Sequence, residues 1–96
     1  MQALALNCTL KRGHAPSSTD KLLGEVAAAL ATHGVSTETV RVANLNVLPG
    51  VESDMGPGDD WPQLRARIVA ADILLLGTPI WLGQPSSVVK RVLERL

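Results

Sequence analysis

The sequence predicts an α/β protein built on an open, mostly parallel sheet with helices on both faces. Two observations carry that reading. Segments of strand length, apolar or β-branched, alternate with longer stretches whose apolar residues recur at helical spacing, in the order β-α-β-α-β-α. Residues 72–77 (DILLLG) also form a continuous apolar run, the composition of a strand covered on both faces of a parallel sheet.

Residues 3–8 (ALALNC) are too short for a helix and lead into polar loop residues, so they read as a buried first strand. The loop from Thr9 to Ser18 contains Gly13 and Pro16. A helix then spans about Thr19 to His33, with Leu22, Leu23, Val26, Ala27 and Leu30 at helical spacing. Ser18 or Thr19 supplies its N-cap oxygen, and Gly34 stands where a left-handed C-terminal cap belongs. Residues 35–42 (VSTETVRV) are β-branched yet polar, which suits an edge strand.

A loop rich in Gly and Pro follows, and Asp60, with Gln63 three residues on, is placed to cap a second helix carrying Trp61, Leu64 and Ile68 on one face. After the strand at 72–77, Pro85 is expected to open a third helix with a stripe of Val88, Val89, Val92, Leu93 and Leu96. That helix is still amphipathic at Leu96, and the expectation is a truncated product or a fragment of a longer domain.

Composition narrows the function classes. The chain has 96 residues, room for one domain, and nine basic residues balance nine acidic ones. No like-charge block points to nucleic acid or an anionic membrane. The longest apolar run, Ala70 to Leu76, is interrupted by Asp72 and too short to span a bilayer. The start, MQALALN, lacks the regions of a signal peptide, and the single cysteine, Cys8, cannot form an internal disulfide or a zinc cluster. The expectation is a soluble cytoplasmic protein with no metal. Asp54, Asp59 and Asp60 lack metal-loop spacing and read as a cap and a solvated turn. Cys8 reads as a small core residue, and His14 and His33 as ordinary loop and helix-end residues.

In an open α/β sheet, ligands bind beyond the carboxyl ends of the strands where the strand order reverses. In one common order of such sheets, 2-1-3-4-5, that point lies between strands 1 and 3, and the two loops there are the least ordinary segments of the chain. The first, residues 9–19, leads to a helix N-terminus, carries the hydroxyls of Thr9, Ser17, Ser18 and Thr19, and has Lys11 and Arg12 nearby. Free backbone N–H groups, hydroxyls and positive charge suit a phosphate monoester. Neither G-x-G-x-x-G nor G-x-x-x-x-G-K-[ST] is present, which counts against a dinucleotide fold or an NTPase. The second loop, residues 77–85 (GTPIWLGQP), is apolar, bounded by glycines and carries Trp81, which suits a flat heterocycle.

Together, N-C-T-L-K at 7–11, S-S-T at 17–19 and T-P-I-W-L-G-Q-P-S-S-V-V-K at 78–90 resemble the NADPH-dependent FMN reductase branch of the flavodoxin-like superfamily. The resemblance covers the whole chain and implies a partial flavodoxin-like FMN-binding domain over residues 1–96, in strand order 2-1-3, with strands 4 and 5 missing. It implies FMN as cofactor, with Thr9, Lys11, Ser17, Ser18 and Thr19 at the phosphate and Pro79, Ile80, Trp81, Leu82 and Gly83 at the isoalloxazine. It further implies NAD(P)H as electron donor, a small-molecule electron acceptor such as a quinone, nitro or azo compound, and a homo-oligomer. No catalytic residue is assigned, because the flavin carries the chemistry. The pattern departs at Trp81, where the family commonly has Tyr or Asn, and at Leu82, often aromatic. A flavodoxin-type electron carrier and an inactive fragment are the alternative readings.

Overall fold

The computed structural model describes residues 1–13, 17–50, 54–81 and 84–96, the side chains of Ile80, Trp81 and Gln84 excepted. Strand β1 (Gln2–Asn7) is the axis of a three-stranded parallel sheet in the order β2-β1-β3, with β2 at Ser36–Arg41 and β3 at Ile73–Gly77. Its register runs from Gln2 opposite Ser36 to Asn7 opposite Arg41 on one side, and from Ala3 opposite Ile73 to Asn7 opposite Gly77 on the other. The expected strand order is therefore the observed one. Below the ladder, Asp72 fixes the start of β3, since its carboxylate accepts from the Gln2 N–H at 2.8 Å and its own N–H donates to the Gln2 carbonyl at 2.9 Å.

Alternation along β1 sends its side chains to two layers. Leu4, Leu6 and Cys8 join Val42, Trp61, Leu64, Val89 and Val92 in one buried cluster, which places helices α2 (Trp61–Ala70) and α3 (Ser87–Arg95) on that face. Ala3 and Ala5 lie on the other, where helix α1 (Ser18–Ala31) packs. Alanine at both positions lets α1 approach closely. No helix among the described residues is long and apolar enough to cross a membrane.

Several element ends depart from expectation, each for a local reason. Ser17, in extended conformation, is the cap of α1, accepting from the Asp20 N–H at 3.3 Å, in place of Ser18 or Thr19. Gly34 does take the left-handed conformation, with φ of +77°, after the last turn. Leu22, expected in the apolar stripe of α1, is 59 % exposed, and burial centres on Thr19 and Leu23.

Asp60 precedes α2 but makes no side-chain cap bond. Pro62 at the second helical position has no N–H to offer, which removes one of the two usual donors to a cap. The Asp60 carboxylate instead accepts from the Asn46 N–H at 2.6 Å, and Asp59 takes the Trp61 N–H at 3.1 Å.

Pro85 does not open the third helix. It belongs to a short antiparallel pair, β4 (Ile80–Trp81) and β5 (Gln84–Pro85), and Ser86 caps α3. The buried stripe of that helix is Val89, Val92 and Arg95, with Val88 packed against the core and Leu93 and Leu96 about half exposed.

Candidate functional site

The carboxyl ends of β1 and β3 lie side by side, and the segments that leave them are fastened together. The Cys8 N–H donates to the Gly77 carbonyl at 2.7 Å, extending the ladder one residue past the end of β1. One residue further along β3, Thr78 and Ser86 close the base of the 79–85 segment. The Ser86 N–H donates to Thr78 Oγ1 at 2.9 Å, and the two hydroxyl oxygens are 3.1 Å apart. Ser86 Oγ also donates to the Cys8 carbonyl at 2.7 Å and accepts from the Val89 N–H at 3.2 Å. One buried hydroxyl thus joins the end of β1, the root of the hairpin and the first turn of α3.

The first loop is fixed from within. The Thr9 N–H donates to Asn7 Oδ1 at 3.0 Å, and the Lys11 N–H donates to Thr9 Oγ1 at 3.3 Å. Both bonds join residues two apart, a turn that polar side chains make with nearby backbone. Gly13, with φ of +70°, is held by Asn44 at two points: its N–H donates to Asn44 Oδ1 at 2.6 Å and its carbonyl accepts from Asn44 Nδ2 at 3.3 Å. The Asn44 amide thereby imitates a strand neighbour.

Asp20, in the first turn of α1, is bonded by Asn7 Nδ2 and paired with Arg41. Arg41 stands at the end of β2 and Asn7 at the end of β1, so this carboxylate ties two strands to the helix N-terminus. Its negative charge sits beside the region read as a phosphate nest, and the guanidinium compensates it.

Gly77 sets the distance between α1 and β3. A Cβ there would come within 2.9 Å of Thr19 Cγ2 and Leu23 Cδ1. Only a residue without a side chain lets the first turn of α1 rest on the end of β3.

The sequence-assigned residues occupy distinct places in this frame. Thr9 is buried, its oxygen accepting from Lys11 N–H and its own proton free for a further acceptor. Ser17 caps the helix and Ser18 is exposed one position on, whereas Thr19 is only 6 % exposed, its methyl directed at Gly77. Lys11 is exposed. Pro79 is half-buried at the root of the hairpin. Ile80 and Trp81 are placed by their backbone in β4, opposite Pro85 and Gln84, while Leu82, Gly83 and His14 lie outside the described residues.

Asn7, Thr78 and Ser86 fall within the quoted motifs without an assigned role, and Asp20, Arg41 and Asn44 were not singled out from the sequence. Their polar side chains at strand ends are the available signal, since a buried polar residue there must find a partner. Cys8 is fully buried and its thiol is pushed up to about 11 by that burial. Among the described residues no group of three or more His, Cys, Asp or Glu side chains is arranged to hold a metal.

Comparison with known proteins agrees with this geometry. The chain superposes on RosB, whose crystal structure contains the bound intermediate 8-demethyl-8-formylriboflavin-5'-phosphate, with a TM-score of 0.86 and 32 % identity, over 98 % of this chain and 41 % of that one. It is 32 % identical to the 8-demethyl-8-aminoriboflavin-5'-phosphate synthase of Streptomyces davaonensis, over all of this chain and 41 % of that protein. It is also 43 % identical to part of the divalent metal cation transporter MntH of Mycobacterium bovis, over all of this chain and 15 % of that protein. The chain thus spans less than half the length of these curated relatives. Residues 1–96 match, from end to end, the family described as NADPH-dependent FMN reductase, and the fold is flavodoxin-like. The chain belongs to the NADPH-dependent FMN reductase family.

Proposed function

We propose that this chain binds FMN in the crevice between the 9–19 loop and the 79–85 hairpin, as part of an oxidoreductase that takes electrons from NAD(P)H and passes them to a small-molecule acceptor. The observation that carries the reading is the Ser86 hydroxyl on the Cys8 carbonyl, which sets the two loops against each other at the carboxyl ends of β1 and β3. The riboflavin phosphates in the names of two relatives support the choice of ligand class.

The residues present suit the 5'-phosphate. Thr9, Ser17 and Ser18 each have a hydroxyl proton to donate, the N-terminus of α1 adds backbone N–H groups, and Lys11 supplies positive charge. Thr19 fills the contact with Gly77, and its backbone is its contribution to the nest. Asn7 and Arg41 hold the Asp20 carboxylate, lessening its repulsion of an incoming dianion. The hairpin is rooted at Thr78 and Ser86, and the family resemblance assigns Pro79 through Gly83 to the ring. When bound, the flavin supplies the hydride and electron-transfer chemistry, and the protein orients it and excludes water.

Titration of FMN and of riboflavin, followed by flavin fluorescence, tests the reading. FMN should bind at least ten times more tightly, because only FMN can use the first loop. Lys11→Gln or Ser18→Ala should remove about 1.5–3 kcal/mol from FMN binding and leave riboflavin unchanged. Equal affinities for the two flavins in the unsubstituted protein would remove the phosphate assignment. Bleaching of the bound flavin by NADPH tests the electron donor.

A further inference from the structure

A cleft opens beside the first loop, and the flavin reading does not use it. It measures about 340 Å³ and lies between that loop, the segment after β2 and the first turns of α3. Val42, Val47 and Val88 contribute apolar wall, Ser87 a hydroxyl, and Arg12 and Arg91 two guanidinium groups. Among the described residues no carboxylate lines it, although the chain as a whole is electrically balanced.

The two arginines are differently placed. Arg91 Nη1 donates to the Val47 carbonyl at 3.4 Å, and its Nε lies 4.0 Å from Glu94 Oε2, so one side of its guanidinium is anchored. Glu94 is in turn drawn aside, accepting from the Gly50 N–H at 3.3 Å. Arg12 is exposed and makes no hydrogen bond or ion pair with any described residue. A concave apolar surface with convergent polar groups is the ordinary form of a small-molecule site. Converging guanidinium groups select an anion whose paired oxygens match their fork, a carboxylate or a phosphate.

We propose that this cleft binds a small amphipathic anion, a carboxylate or phosphate ester joined to a compact apolar ring. The ring lies on the valine wall, and the anionic head meets Arg12 and Arg91. The site does not depend on flavin binding, since it shares with the 9–19 loop only Leu10 and Arg12, not the residues assigned to the flavin phosphate.

Phenyl phosphate is the probe, with inorganic phosphate as its headgroup alone, and amide chemical shifts in a ¹H–¹⁵N NMR titration are the readout. Phenyl phosphate should shift Ala43, Val47 and Val88 saturably, and inorganic phosphate should bind at least ten times more weakly. Arg12→Gln should weaken phenyl phosphate at least tenfold with the rest of the spectrum unmoved, because Arg12 supports no other part of the fold. Shifts confined to residues 9–11 and 17–19 would overturn the proposal while leaving the flavin-phosphate reading intact. Unchanged affinity in Arg12→Gln, or inorganic phosphate binding as well as phenyl phosphate, would also overturn it.

Discussion

Arg95 Nη2 lies 2.7 Å from Asp59 Oδ2, and both side chains are wholly withdrawn from solvent. The pair pins the last turn of α3 to the segment preceding α2. Arg95 Nη1 also donates to the Leu48 carbonyl at 2.5 Å, and the guanidinium carbon stands 5.5 Å from the centroid of the Trp61 ring. Asp59 accepts in addition from the N–H groups of Met55, Trp61 and Leu48. Breaking one side strands a buried charge, whereas replacing both with apolar residues does not. Arg95→Met should therefore lower the melting temperature by about 10 °C or more, and Arg95→Met with Asp59→Leu should recover much of the loss. Thermal melts of the two variants, followed by circular dichroism, check the order.

The same pair predicts a pH dependence. The hydrogen-bonded Arg95 guanidinium, assisted by the three backbone donors, holds the Asp59 carboxyl well below the usual carboxylate range against the opposing effect of burial. A depressed folded-state value stabilises the fold above the unfolded carboxylate pKa, about 3.9, and that stability is lost as pH falls through the folded value. The gap in melting temperature between the unsubstituted protein and Asp59→Asn should be full at neutral pH and narrow progressively below about pH 4. A gap that stays constant down to pH 2 would show that the carboxylate is not the source.

Ser86→Ala should cost about 1–3 kcal/mol, since it removes the cap of α3 and leaves the Cys8 carbonyl without its donor. Ser87→Ala, at an exposed neighbour, should stay within about 0.5 kcal/mol. Urea midpoints of the two variants make the comparison. Thr78→Val should still cost about 1 kcal/mol once Ser86 is already Ala, because the backbone N–H of residue 86 continues to donate to Thr78 Oγ1.

Gly77→Ala should destabilise the fold by about 1–3 kcal/mol by forcing α1 away from β3. Because the displaced turn contains Thr19 and adjoins Ser17 and Ser18, flavin phosphate affinity should fall with it. Riboflavin affinity, which does not use that turn, is the control.

Cys8 should be inert to a thiol reagent at pH 8 in the native state and react at once in denaturant. Its raised pKa leaves little thiolate, and burial closes off approach. Rapid native labelling would show that the end of β1 opens locally.

The strands were legible because the apolar runs at 3–8 and 72–77 admit few other roles, while their order came with the family resemblance. The run at 72–77 is less covered than expected, with Leu76 37 % exposed, because β3 is an edge of the three-stranded sheet. The polar frame of the site was not. Asp59 and Asp60 look equivalent in sequence, and only the missing N–H of Pro62 and the reach of Arg95 from the third helix separate their roles. In α3, Val88, Val89 and Val92 pack as expected, but Arg95 completes the stripe in place of Leu93 and Leu96, since an arginine satisfied by a distant carboxylate can occupy a core position that periodicity assigns to leucine. The β4–β5 pair was missed because two-residue strands carry no periodicity. Ser17, Ser18 and Thr19 are interchangeable as caps on paper, and the close approach at Gly77 decides which one turns inward.

The central strand has a consequence for synthesis. Both neighbours of β1 run parallel to it, so no hairpin can seed the sheet, and Ala3 meets Ile73 only seventy residues later. At ribosomal speeds of about 5–20 residues per second, one edge of β1 stays unpaired for roughly 4–14 s. Late closure of the sheet and slow refolding from denaturant are therefore built into the order in which this chain lays down its strands.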